Sequence, residues 1–228
     1  MKNVEIIYKS KNIIVVNKPA GIPSQPDPSG DKDALTLSSE ALASLGERTE
    51  LYLINRLDRV VGGLIILARN KRFATALTEL VSGEKMVKEY IAVVSGRPEA
   101  GRYTDYLYKD ARLSKAFVVD GKRQGVKEAL LDCMPLVTES TDDGEKTLLR
   151  VRLYTGRYHQ IRCQLASRGY PIVGDGKYGS RDKGARLPAL FAEHISFEAL
   201  GERVDVLASP DTAEYPWNLF LLDMERTV

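Results

Sequence analysis

Cysteine is scarce: Cys133 and Cys163 are the only two in 228 residues, too few for a disulfide framework and without C-x-x-C spacing. Histidine is equally sparse, and neither His159 nor His194 stands at metal-ligand spacing from another ligand type, which argues against a zinc site. No apolar run approaches the ~20 residues that span a bilayer, and the best candidate, Leu64 to Ala68, is far too short. The N-terminus, Met1-Lys2-Asn3-Val4-Glu5, lacks the apolar stretch of a signal peptide. G-x-S-x-G, G-x-x-x-x-G-K-[ST] and a strand-linked G-x-G-x-x-G are missing too, which removes the common hydrolase and most nucleotide-cofactor readings. What remains is a soluble, cytoplasmic protein with no metal and no cofactor, read as a single domain over residues 1–228. A chain of this length buries roughly 70–75% of its unfolded surface and needs no staples.

Net charge is also small, only +2, but its distribution is uneven. Between Arg150 and Arg186 the bases Arg150, Arg152, Arg157, Arg162, Arg168, Lys177, Arg181, Lys183 and Arg186 face only Asp175 and Asp182, a local charge of +7. The rest of the chain therefore carries −5. Such asymmetry suits a polyanionic partner. A solvated surface patch would give the same count, so charge alone decides nothing.

Hydrophobic patterning gives the organisation. Ile6 to Asn17 holds two apolar bursts around Lys9-Ser10-Lys11-Asn12, a β-hairpin with a buried second strand. The Pro/Gly-rich stretch from Ser24 to Asp33 reads as a mobile loop, and Ala34 to Leu45 as a helix stopped by Gly46. Leu64–Ala68 is a strand. Phe73, Leu77, Leu80 and Val81 form the apolar stripe of a helix ending at Gly83. Met86 to Ser95 is a strand, and Glu128–Val137 and Lys146–Tyr154 pair across a turn at Asp142-Asp143-Gly144. His159–Arg168 is a short helix closed by Gly169, and Gly201–Leu207 a late strand. Many strands with few helices, in no regular alternation, predict an α+β fold with a mixed, largely antiparallel sheet and flanking helices.

Three strings can carry chemistry. In Asn55-Arg56-Leu57-Asp58-Arg59, on a loop between apolar segments, the guanidinium groups favour an ionised Asp58 able to act as a nucleophile. Local ion pairing is the commoner fate of such a string. In Lys88-Glu89-Tyr90-Ile91-Ala92-Val93, Tyr90 could stack on a ring or exchange a proton, although most strand tyrosines are simply core. In Thr155-Gly156-Arg157-Tyr158-His159-Gln160-Ile161-Arg162 a strand meets a helix start, where free N–H groups and arginines suit an anion far better than a metal.

Taken together and in order, these strings resemble the RluA-type family of RNA pseudouridine synthases. The resemblance also rests on Ile14-Val15-Val16-Asn17-Lys18-Pro19-Ala20-Gly21-Ile22-Pro23, on Gly63-Leu64, and on Tyr170-Pro171-Ile172-Val173-Gly174-Asp175-Gly176-Lys177-Tyr178-Gly179. It implies the pseudouridine synthase fold and isomerisation of uridine to pseudouridine in tRNA or rRNA, with a flipped target base and no cofactor. It also implies that Asp58 is the catalytic aspartate, Tyr90 the active-site tyrosine and Arg162 the basic partner of the aspartate. Lys18, Arg56, Arg59, Arg157, His159 and Gln160 are then expected at the RNA, with Arg56 filling the gap left by the flipped base. The protein is expected to work as a monomer without an obligate protein partner. Attack at C1′, attack at C6 and deprotonation at C2′ are all compatible with an ionised Asp58.

The sequence departs from the family pattern twice. The family's His-Arg-Leu-Asp-Arg begins here with Asn55, and its Thr-Ser pair is Val61-Gly62. Those changes bear on how the loop is braced and which RNA it grips. Because the chain begins directly at the catalytic segment, the S4 RNA-binding domain of some relatives is expected to be absent. Two rivals compete with this reading: a non-catalytic RNA-binding protein on the same fold, and a glycoside-cleaving enzyme. The second needs another carboxylate beside Asp58, which the arginine-rich string does not offer.

Overall fold

The two N-terminal apolar bursts pair as a hairpin, β1 (Glu5–Lys9) and β2 (Ile13–Lys18), in a computed structural model that describes residues 3–221. There follow α1 (Ala34–Ser44), β3 (Tyr52–Leu53), β4 (Gly62–Ala68), α2 (Lys71–Ser82), β5 (Val87–Ser95), β6 (Gly101–Asp110) and β7 (Lys115–Val119). Then come β8 (Val126–Thr141), β9 (Gly144–Leu153), α3 (Gln160–Ser167), β10 (Leu190–Ala199) and β11 (Glu202–Leu207). Single 3₁₀ turns stand at Gly176–Tyr178 and Trp217–Phe220. The fold is α+β with a mixed, largely antiparallel sheet, as the patterning predicts: β4 pairs parallel with β10, while β1–β2, β2–β4, β3–β4, β5–β9, β6–β7, β6–β8, β8–β9 and β10–β11 pair antiparallel. Among the described residues no helix is long and apolar enough to cross a membrane.

Contacts divide the chain into two compact units. One holds the residues up to Lys88 together with Phe191–Pro210; the other holds Glu89–Leu190 and the described residues from Asp211 onward. In the first unit the strand order is β1-β2-β4-β10, with β11 paired to β10 and β3 to β4. β4 is buried at every position, which is why Gly-Gly-Leu-Ile-Ile-Leu-Ala shows no alternation. Ile13, Val15, Leu64 and Ile66 pack with Phe73 and Leu77 of α2 and with Ile195, Phe197 and Val204 in one core. At roughly 1.5–3 kcal/mol per buried aliphatic or aromatic side chain, this layer is the main support of the unit. Asn70 caps α2 by accepting from Phe73 N at 3.0 Å, and Gly83 ends the helix as its stripe predicts. Gly63 is required where it stands: its φ is +118°, and a Cβ there would lie 2.4 Å from Ala192 O on the parallel strand β10.

The second unit is an antiparallel sheet in the order β5-β9-β8-β6-β7. α3 lies on one face, where Cys163 packs with Leu107, Ala116, Ala129 and Tyr178. Both thiols are buried, and burial pushes that of Cys163 up to about 11, so neither is poised to react. The β8–β9 hairpin turns where Asp142-Asp143-Gly144 places it. The patterning does not mark strands β6, β7 and β10, whereas β3 falls in the apolar segment that precedes the Asp58 loop. β6 alternates a thin buried set, Tyr103 and Leu107, with exposed charge, whereas β10 takes its place by parallel pairing to a strand far away in sequence.

Candidate active site

Asp58 sits, half-buried, at the turn between β3 and β4, closed by Val61 N donating to Asp58 O at 3.0 Å. Both of its chain neighbours are held by the N-terminal segment. Ser24 Oγ donates to Leu57 O at 2.9 Å and accepts from Leu57 N at 3.0 Å. On the other side Gly21 N donates to Arg59 O at 2.7 Å. Lys18, completely buried, points its Nζ at the carbonyls of Ile22, Pro19 and Arg59, at 3.0, 3.2 and 3.5 Å. The Lys-Pro-Ala-Gly-Ile-Pro string thus cradles the aspartate loop. A buried ammonium spent on three carbonyls braces that loop rather than presenting a charge at the surface.

Asn55 accounts for the first departure from the family pattern. Its Oδ1 accepts from Ile66 N at 2.7 Å and its Nδ2 donates toward Leu64 O at 3.4 Å, so the side chain mimics a strand partner for β4. Val61-Gly62 accounts for the second: Val61 is core, and a Cβ on Gly62 would meet Phe191 Cδ2 at 3.2 Å. Asn55→Ala is therefore expected to destabilise the protein by about 1–3 kcal/mol through the orphaned Ile66 amide. Urea unfolding checks this, and an unchanged midpoint would refute it.

Arg56 is exposed at the start of the loop. Arg59 is tied down in the same unit: its Nε donates to Gly21 O at 3.1 Å, its Nη1 to Ser29 Oγ at 3.0 Å, and its Nη2 pairs with Asp31. The Asp31 carboxyl is held below its usual range by that guanidinium. Ser24 to Asp33, read from sequence as a mobile loop, is thereby anchored at its tip by Arg59 and at its ends by Ser24 and by Asp33, the N-cap of α1.

The other candidates lie in the second unit. Tyr90 is buried on β5, opposite Val151 of β9. Arg157, His159, Gln160 and Arg162 cluster at the start of α3, as their spacing predicts. Gln160 organises that start: its Oε1 accepts from Thr155 Oγ1 at 2.8 Å and Arg157 N at 3.0 Å, and its Nε2 donates to Leu130 O at 3.1 Å. Arg157 Nε donates to Glu128 O at 2.7 Å. His159, at φ +51°, stacks on Tyr158 with ring centroids 3.9 Å apart, and its Nδ1 lies 3.1 Å from Tyr178 Oη. Arg162 is buried and gripped by Asp175 in a fork, Nε to Oδ2 at 2.7 Å and Nη2 to Oδ1 at 2.9 Å, above the Tyr178 ring. Sequence reasoning left Asp175 and Tyr178 without roles, although both stand inside the Tyr170–Gly179 string.

The α+β architecture is the pseudouridine synthase fold, with an aspartate on a doubly braced loop in one unit and an arginine locked at a helix start in the other. Two human solved structures share it: RNA Pseudouridylate Synthase Domain Containing 1 (TM-score 0.75, 24% identity, 92% of this chain and 84% of that one) and Domain Containing 4 (0.75, 22%, 97% and 92%). Residues 12–167 match the family described as RNA pseudouridylate synthase, and the chain belongs to that family. An uncharacterised RNA pseudouridine synthase of Chloroflexus aurantiacus is 35% identical over 77% of this chain and 54% of its own length. One from Aquifex aeolicus is 34% identical over 77% and 56%, so the chain spans little more than half of these two relatives. Ribosomal large subunit pseudouridine synthase D of Borreliella burgdorferi is 31% identical over 86% of this chain and 60% of its own.

Proposed function

We propose that the chain isomerises uridine to pseudouridine in RNA, with Asp58 as the catalytic residue. The observation that carries the reading is the family match across residues 12–167, a span that holds Asp58, Tyr90 and Arg162. The N1–C1′ bond of the target breaks, the uracil turns, C5 bonds to C1′, and the C5 proton leaves as N1 regains one. No atom is gained or lost. The base must first leave its stack, at a cost of a few kcal/mol offset by contacts to the protein. Asp58 acts at the sugar or the ring, Tyr90 stacks on the uracil, and Arg162 supplies the fixed positive charge. Lys18 and Gln160 serve this chemistry through the backbone they brace, and Arg56 is the exposed group for the vacated stack. Since one relative is named for the large ribosomal subunit, large-subunit rRNA is the first substrate to assay and tRNA the second. Nucleotide analysis of RNA treated with the pure protein tests the proposal. Pseudouridine supports it, and uridine left unchanged in both RNAs favours the non-catalytic binder.

The uneven charge gives a second expectation. Arg181, Lys183 and Arg186 are all exposed. Each phosphate neutralised on a single strand contributes about −0.7 to the log–log slope of affinity against salt. Replacing the three with Gln is expected to flatten that slope and raise KM while kcat stays close to wild type. Parallel slopes for the two proteins would refute an RNA role for this segment.

A further inference from the structure

The segment carrying those three bases is built as a clamped loop. At its feet Gly174, with φ +80°, packs so closely that a Cβ would sit 2.3 Å from Leu187 O, and Ala189 N donates to Val173 O at 2.9 Å. Lys177 Nζ donates to Ser114 O at 3.0 Å, tying the near side to the β6–β7 hairpin. On the far side Arg181, Lys183 and Arg186 point to solvent while the acid among them turns inward. The side chain of Asp182 is only 7% exposed and meets Lys146 Nζ, itself 4% exposed, at 3.3 Å. Tyr215 Oη donates to Asp182 Oδ2 at 2.5 Å, and Gly184 N donates to Oδ1 at 2.9 Å. Lys146 Nζ also donates to Thr141 Oγ1 at 3.0 Å. Burial works to raise the Asp182 pKa, yet Tyr215, the Gly184 amide and Lys146 together hold it below the ordinary value. Gly184 packs close against the Tyr215 ring, where a Cβ would come within 2.8 Å of Cε1.

A buried ion pair is a poor source of stability, because apolar residues of similar volume often hold a fold as well or better. Its local effect here is conformational. A polar, glycine-containing loop with three like charges would otherwise spread over many states, and ordering it upon binding would weaken the affinity. We propose that the Arg181–Arg186 loop is a pre-ordered clasp for RNA phosphates and that Asp182, held by Lys146 and Tyr215, is the latch that keeps it in shape. The inference rests on the RNA-modifying reading of the chain. It makes Asp182 a positioning residue that helps a polyanion to bind although it is itself an anion.

That sign is the test. On charge alone, Asp182→Asn raises the loop's positive charge and tightens RNA binding; as a latch, it weakens binding. Apparent affinity falls in proportion to the competent fraction, so a loop ordered about one fifth of the time binds about fivefold more weakly. The experiment is fluorescence anisotropy of the full chain with fluorescein-labelled unfractionated tRNA at low salt, comparing wild type, Asp182→Asn, Tyr215→Phe and Gly184→Ala. All three variants are expected to bind about threefold to tenfold more weakly, on the same arithmetic. Tyr215→Phe and Gly184→Ala change no charge, so they decide the matter if Asp182→Asn does not fold. Binding of Asp182→Asn as tight as wild type or tighter, or unchanged binding by both neutral variants, overturns the latch. Wild-type protein that fails to bind tRNA at low salt overturns the RNA reading itself, a result distinct from either.

Discussion

Asp58→Asn is expected to lower pseudouridine formation by about 10³-fold or more, the scale on which acid–base and nucleophilic groups act, while RNA binding persists. The substitution keeps the shape of the side chain and removes only its charge. The braces around it act on the backbone of Leu57 and Arg59, through Ser24, Gly21 and Lys18, so the loop retains those supports in the variant. Turnover is measured with large-subunit rRNA in single-turnover format, and binding by anisotropy on the same preparation. Asp58→Ala runs alongside, because slow deamidation of asparagine would regenerate aspartate. Wild-type turnover in the Ala variant would remove Asp58 from the chemistry, and loss of binding in both would make it a structural residue of the RNA surface.

What the sequence reveals depends on whether local pattern or distant packing decides the outcome. The β1–β2 hairpin, β4 and α2 are legible because their burial follows directly from the spacing of Ile, Val, Leu and Phe, and the end of α2 from Gly83. The loop bearing Asp58 and the basic helix start at Gln160 are legible as clusters of charge beside glycine. Tasks of single polar residues are not. Lys18 is expected at the RNA, and its side chain is completely buried with Nζ facing three carbonyls, a burial that nothing in the letter marks. Gln160 reads as a ligand for RNA, yet its amide is consumed by Thr155, Arg157 and Leu130. Asn55 reads as a departure from a motif and proves to be a strand-mimicking brace. Asp175 escapes notice because its partner Arg162 lies 13 positions away, beyond any helical or strand repeat. Each of these is a specific polar contact to a backbone group or a buried ion, made locally or across the fold, and composition carries no record of it.

The Arg162–Asp175 fork sets the second large effect. Arg162→Ala is expected to cost about 10²–10³ in turnover, the scale of a lost electrostatic group at a reacting centre, with Arg162→Lys retaining part of it. Lysine keeps the charge but loses the planar fork that now spans both oxygens of Asp175. Stability falls as well, because Arg162→Ala strands a carboxylate that is 1% exposed, and breaking a buried pair in this way costs about 3–5 kcal/mol. A loss of activity could therefore be mere unfolding. Removing both charges separates the two causes. Arg162→Met combined with Asp175→Asn leaves no unpaired buried ion, and such neutral replacements commonly restore stability. The double variant is expected to regain most of the wild-type melting temperature and none of the lost turnover. Recovery of turnover along with stability would reduce Arg162 to a structural cation, and the positive charge of the reaction would then have to come from another residue.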